Sequence, residues 1–118
     1  MAIDQNLNTE KITPDLIRYI VNKIAQEVRP EKIILFGSYA RGDFGRNSDL
    51  DLFIEVDEGK ESSRLTRRKI ETLLCGRRFS LDLIVRNQKE IDWNFRAKNP
   101  FYIHHIFKDG KVLYEKKT

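Results

Sequence analysis

The chain of 118 residues predicts a single α/β (α+β) domain, a small mixed sheet flanked by helices. Three observations predict it. Short apolar runs with strand alternation stand at Lys32–Phe36, Leu50–Val56 and Phe79–Val85. Segments with helical apolar spacing separate them, and glycine- or proline-bearing turns punctuate the boundaries. Strands that alternate with helices bury a sheet under helices, because each helix has only one apolar stripe to hide. Neither internal repeats nor a domain boundary is visible, and the length suits one domain.

Residues 1–12 are polar and are expected to be flexible. Thr13-Pro14 reads as an N-cap followed by a first helical residue. Leu16, Ile17, Ile20, Val21, Ile24, Ala25 and Val28 then recur at helical spacing, and Pro30 ends the run. Lys32–Phe36 is a short buried strand, and residues 37–48 form a Gly-rich turn. In the second strand Leu50, Leu52, Ile54 and Val56 face one way, and Asp51, Phe53 and Glu55 the other. Asp57-Glu58-Gly59-Lys60 is a loop. Residues 61–75 read as an amphipathic helix with Leu65, Ile70, Leu73 and Leu74 inward, ended by Gly76. In the third strand Phe79, Leu81, Leu83 and Val85 share one face, and Ser80, Asp82 and Ile84 the other. A polar segment follows. Asn99-Pro100 opens a short helix to Lys108, Asp109-Gly110 turns, and Lys111–Glu115 is a terminal strand or extended tail.

The composition, 40% hydrophobic and 34% charged, is that of a globular protein and excludes a disordered chain. With 22 Lys+Arg against 18 Asp+Glu the net charge is +4. That mild excess fits either a solvated surface or a patch for an anionic partner. The N-terminal MAIDQNLNTEK lacks the apolar stretch of a signal peptide, and no apolar run reaches the ~20 residues of a membrane span. The single cysteine, Cys75, has no intramolecular partner and reads as a small buried hydrophobe. A cytoplasmic location is the expectation.

The chemistry concentrates in GSYARGDFGRNSDLDLFIEV, residues 37–56. A Gly37-Ser38 turn after the first strand offers backbone N–H groups and a hydroxyl, the donors a polyphosphate needs. Ten residues later come Asp49 and Asp51. At i, i+2 on a strand they project from one face with Cα atoms ~6.5 Å apart, so both can converge on metal. Asp82 occupies a comparable place on the third strand and lands beside the pair if the two strands are neighbours. Three clustered carboxylates repel unless a cation neutralises them. Hard oxygen ligands select Mg²⁺ or Mn²⁺. Two such ions ~4 Å apart would hold the attacking and leaving oxygens of an in-line displacement at phosphorus. Asp49 and Asp51 would bridge both; Asp82 would hold the catalytic ion and accept the proton of the attacking hydroxyl. A P-loop is excluded, because Asp43-Phe44 follow Gly42 where Lys and Ser/Thr are required.

Gly37-Ser38, ten residues, Asp49-Leu50-Asp51 and then Asp82 within SLDLIV resemble the signature of the DNA polymerase β-type nucleotidyltransferase superfamily. The resemblance covers residues 32–85. The small size and the ending Pro100-Phe-Tyr with Val112-Leu-Tyr-Glu115 look like the minimal nucleotidyltransferases (MNT), commonly antitoxins paired with HEPN-domain ribonuclease toxins. The resemblance implies a nucleotidyltransferase fold, Gly37 and Ser38 on the triphosphate, and Asp49, Asp51 and Asp82 on Mg²⁺. It further implies ATP as donor and transfer of AMP to a hydroxyl, a tyrosine of a helical HEPN toxin. Larger relatives carry a separate acceptor-binding domain, for which 118 residues leave no room; the acceptor is then held by a partner or is the partner. Two alternatives stay open: a non-catalytic antitoxin that occludes its toxin, and an enzyme acting on a small molecule or RNA.

Other residues carry two readings each. Arg41 is one turn from Ser38 and is either a phosphate contact or a surface arginine. His104-His105 on a short helix point ~100° apart, which suits structure or an interface better than one shared metal. Trp93, Phe95, Phe101, Tyr102, Phe107 and Tyr114 gather aromatics late in the chain, for core packing or for a partner. Arg64, Arg67, Arg68, Lys69, Arg77 and Arg78 form the densest basic region, either a solvated face or a dock for an acidic partner or RNA.

Overall fold

The computed structural model describes residues 4–57, 59 and 61–117. Helix α1 (Pro14–Val28) starts as expected: Thr13 is its N-cap, and its hydroxyl accepts from the Leu16 N–H at 3.1 Å. It closes through Arg29, which takes the left-handed conformation (φ 54) and donates its N–H to the Ala25 carbonyl. Strand β1 (Lys32–Phe36) runs into a one-turn helix, α2 (Ser38–Arg41), and β2 (Leu50–Val56) returns antiparallel to β1. Helix α3 (Ser63–Leu73) carries the chain across to β3 (Leu81–Asn87), which pairs parallel with β2. A parallel neighbour needs such a crossover. Helix α4 (Gln88–Arg96), a wide-turn π-type helix α5 (Phe101–Lys108) and strand β4 (Lys111–Glu115) complete the chain. The sheet is mixed, in the order β3-β2-β1-β4, with β4 antiparallel to β1 and a register shift between Ile33 and Ile34.

The period-2 patterns decide which helices cover which face. Ile33, Leu35, Leu50, Leu52, Ile54, Val56, Leu83 and Val85 pack with Leu16, Ile20, Ile24 and Ile70 of α1 and α3. On the other face Ile34, Phe36 and Phe53 pack with Ile91 of α4 and with Tyr102 and Ile106 of α5. Tyr102 and Phe107 both meet Phe53 edge-on, with centroids 5.8 and 5.5 Å away. Gly110 lets β4 reach the sheet, since a Cβ there would sit 2.1 Å from the Ile106 carbonyl oxygen and 2.6 Å from Ile34.

Several expectations change. Of the segment expected to be flexible, residues 1–3 lie outside the described residues, but Leu7 is fully buried and Asp4 bonds the Tyr19 hydroxyl and, at 2.9 Å, Lys23. Helix α3 is shorter than 61–75, and Leu65 points out, 51% exposed, while Thr66 takes the inward place. The cap at Ser62 sets that phase, putting Thr66, Ile70 and Leu73/Leu74 on one stripe. Cys75 is exposed rather than buried. The polar segment after β3 is helix α4, started by a capping box: Asn87 accepts from the Glu90 N–H and Glu90 from the Asn87 N–H, both at 2.9 Å. Glu90 also accepts from the Ser63 hydroxyl at 2.6 Å, which ties α4 to the start of α3. Strand β3 begins two residues later than Phe79, and of the loop 57–60, Glu58 and Lys60 lie outside the described residues. No described helix is long and apolar enough to cross a membrane.

Candidate active site

The site forms where β1 ends and β2 and β3 begin. The β1–β2 register sets Phe36 opposite Asp51, so the next residue, Gly37, passes directly over the Asp51 carboxylate. A Cβ built on Gly37 would lie 2.0 Å from Oδ2 of Asp51 and 2.9 Å from its Cγ. Gly37 also holds φ 74, in the left-handed region. Two independent constraints therefore require glycine here: the backbone angle and the carboxylate above it. The Gly37 carbonyl accepts from the N–H groups of Ala40 and Arg41, both at 3.1 Å, which winds α2 immediately beyond Ser38. Gly42 (φ 86) closes that turn by donating to the Ser38 carbonyl at 2.9 Å.

On its other side Asp51 is paired in parallel register with Asp82. Adjacent strands lie ~4.8 Å apart, so the two carboxylates stand abreast on one face. Asp49 lies just before β2, anchored through Leu50, whose N–H donates to the Ser80 carbonyl at 2.9 Å. Asp49 and Asp82 are exposed and Asp51 is half-buried. Burial pushes the Asp51 carboxyl up to about 6, Asp82 and then Asp49 push it the same way, and Arg41 opposes them. Asp49 and Asp82 thus both act on Asp51.

Among the described residues, no three His, Cys, Asp or Glu side chains are drawn together tightly enough to form a ready metal cage. Two of the three carboxylates, Asp49 and Asp82, are exposed to water. The donor chemistry still fits a hard divalent cation. Three carboxylates share one end of the sheet, and burial first, then Asp82 and Asp49, raise the proton affinity of the central one.

Arg41 is exposed, pairs with Asp43 at 3.1 Å, and acts on Asp51 against the upward shift. His104 and His105 are exposed on α5, with His105 5.9 Å from the Phe101 ring. The late aromatics divide: Tyr102 is buried against Phe53, whereas Trp93 is 62% exposed. Sequence reading missed the build of residues 42–48. There the Phe44 ring stacks on Tyr39 at 4.3 Å, and Ser48 and Gly45 bond each other twice. Tyr39 and Phe44 lie five apart on either side of Gly42, and that spacing across a glycine was the available signal.

A nucleotidyltransferase domain family model matches residues 17–113. A Methanocaldococcus jannaschii protein, provisionally named a protein adenylyltransferase, is 31% identical over 114 residues, 92% of this chain and 100% of that one. A crystal structure of a Sulfolobus solfataricus protein, provisionally a nucleotidyltransferase, superposes with a TM-score of 0.58 at 25% identity, covering 86% of this chain and 79% of that one. The crystal structure of a toxin–antitoxin with AMP-PNP shares the fold, with a TM-score of 0.53 at 21% identity over 85% of this chain and 74% of that one. The family match spans most of the chain, and on it this chain belongs to the nucleotidyltransferase domain family.

Proposed function

We infer that this chain is a minimal nucleotidyltransferase of the DNA polymerase β type that moves AMP from ATP to a hydroxyl of a partner protein. The observation that carries this reading is the position of Asp51, in contact with Gly37 on one side and in register with Asp82 on the other. The triphosphate end of a nucleotide and the carboxylates are then served by adjoining residues. The 31% identity to a provisional protein adenylyltransferase supports AMP and a protein acceptor. The acceptor proposed is a tyrosine of a HEPN ribonuclease toxin, which would make this chain an antitoxin. The fold shared with a toxin–antitoxin complex holding AMP-PNP is consistent with that role.

Gly37 and Ser38 bind the triphosphate through backbone N–H groups and the Ser38 hydroxyl. Asp49, Asp51 and Asp82 are the residues that would hold Mg²⁺ or Mn²⁺, which when bound neutralises charge on the phosphates and lowers the barrier to attack at phosphorus. Asp82, on the outer strand, takes the proton of the acceptor hydroxyl. The acceptor oxygen bonds to the α-phosphorus, the bond from that phosphorus to the bridging oxygen breaks, and pyrophosphate leaves with the electron pair. Half-burial leaves the Asp51 charge poorly solvated, which strengthens its hold on a bound cation.

Co-purified partner incubated with this chain, ATP and Mg²⁺ tests the reading. Intact mass spectrometry is expected to show additions of AMP mass on the partner, lost with EDTA and with Asp49→Asn/Asp51→Asn. A partner that binds but gains no mass with any nucleotide indicates a non-catalytic antitoxin. Absence of any partner redirects the search to small-molecule or RNA acceptors.

A further inference from the structure

Two cavities adjoin near the end of the sheet where β2 and β3 begin. One, of ≈ 810 Å³, is lined by Lys11, Tyr39, Phe44, Arg46, Ser48 and Arg78 among others. The second, of ≈ 680 Å³, is lined by Arg68, Glu71, Arg77 and Arg78. Arg78, Phe79 and Ser80 belong to both, so together they make one trench. Its cations are Lys11, Arg46, Arg68, Arg77 and Arg78. Arg77 is paired with Glu71 at 3.2 Å, and Arg78 lies 3.9 Å from Glu10. Among the described residues, Lys11, Arg46 and Arg68 have no carboxylate within ion-pair range. None of the three carboxylates lines the trench, but it ends beside them in the chain: Ser48 immediately precedes Asp49, and Ser80 lies two residues before Asp82.

We propose that this basic trench docks the acceptor, and that its occupant is an acidic polypeptide segment whose hydroxyl is delivered past Ser80 to the carboxylates. The proposal rests on the transfer reading and supplies what that reading lacks, a place for the acceptor. Position favours it. Gly37 and Ser38 lie at the β1 side of Asp51, so a triphosphate held there leaves the β3 side for the incoming hydroxyl, and Arg78 and Ser80 stand at the start of β3. Planar guanidinium forks match carboxylates in pairs. Nucleic acid fits less well. Single strands want separate aromatic platforms for successive bases, whereas Tyr39 and Phe44 are stacked on each other and Phe79 is buried.

The probe is a fluorescein-labelled glutamate–tyrosine copolymer, titrated by anisotropy onto the full chain carrying Asp49→Asn/Asp51→Asn, so that binding is read without chemistry. Submicromolar to micromolar binding is expected at low salt, weakening steeply as salt rises. Arg46→Glu/Arg78→Glu should weaken it about tenfold or more, and Arg46→Lys/Arg78→Lys by clearly less. If the double reversal lowers the melting temperature, Arg46→Glu alone, in an exposed loop, gives the same reading. Equal binding of a lysine–tyrosine copolymer, or no effect of charge reversal, overturns the proposal. Tighter, reversal-sensitive binding of oligo(rA) also overturns it and assigns the trench to nucleic acid. In wild-type protein, copolymer bound but not labelled from ATP leaves the dock standing and counts against the transfer reading alone.

Discussion

Gly37 and Asp51 are in van der Waals contact across the β1–β2 pair, closely enough that a single methyl on Gly37 would overlap the carboxylate at 2.0 Å. Gly37→Ala is therefore expected to cost about 2–4 kcal/mol, from the positive φ and the overlap together, and to displace Asp51. Gly42→Ala is the control. Gly42 has φ 86 but nothing within 4 Å of a new Cβ, so it should lose only about 1 kcal/mol and keep its activity. Chemical denaturation and transfer assays on the pair separate backbone strain from damage to the site.

Asp51 should make the metal-free protein less stable as pH rises. Its folded value of about 6 stands above the ordinary 3.8, so the folded state holds a proton that the unfolded chain gives up. Stability falls between about pH 4 and 6 and stays low above that. Asp51→Asn should then stabilise the metal-free protein at pH 7 by on the order of 1–2 kcal/mol, with the gain vanishing below about pH 4. The same change should reduce transfer at least about a hundredfold. Thermal melts across pH, with and without Mg²⁺, check both. Stabilisation by Mg²⁺ should grow through pH 6, because the cation must displace that proton.

Asp4 behaves oppositely. The Tyr19 hydroxyl first, and then Lys23, hold its carboxyl down to about 2 from the ordinary 3.8. The stability it contributes is full above about pH 4 and lost as pH falls toward 2. Asp4→Asn should cost about 1–2 kcal/mol at pH 7 and almost nothing near pH 2. Denaturation midpoints at the two pH values test this, together with the attachment of the N-terminal segment to α1.

Glu90 accepts hydrogen bonds from both Asn87 and Ser63, so Glu90→Ala should destabilise by about 1–2 kcal/mol, more than an isolated cap would. In a double-mutant cycle with Ser63→Ala the two losses should be non-additive. Hydrogen exchange should rise at the first turn of α4 and at the start of α3 together.

The strands that carry the candidate site were legible in the sequence because alternation alone assigns faces. Leu50, Leu52, Ile54 and Val56 go to α1 and α3, and Asp51 and Phe53 to the opposite side, as they read. Gly37 was legible as a turn, but its contact with Asp51 depends on the β1–β2 register, which no local pattern reveals. Helix α4 was overlooked because Ile91 is the only buried residue along it, so no apolar stripe marks it; the Asn87-x-x-Glu90 box was its one signature. Leu65 was misassigned because counting apolar residues does not set helical phase, whereas the Ser62 cap does. The burial of Leu7 was hidden by its polar neighbours, since one leucine has no period to read.

Parallel pairing of β2 with β3 has a consequence for fidelity. No tight turn sets that register, because α3 intervenes and leaves the strands free to slide as they meet. A slip of one residue would turn Asp82 to the far side and bring Leu81 or Leu83 beside Asp51. The same slip would expose Leu83 and Val85, now 3% and 1% accessible, and bury Asp82 and Ile84 among the aliphatics beneath α1 and α3. A misaligned sheet is thus also an unstable one. A well-formed core rejects alignments that would part Asp51 from Asp82, without any contact dedicated to proofreading them.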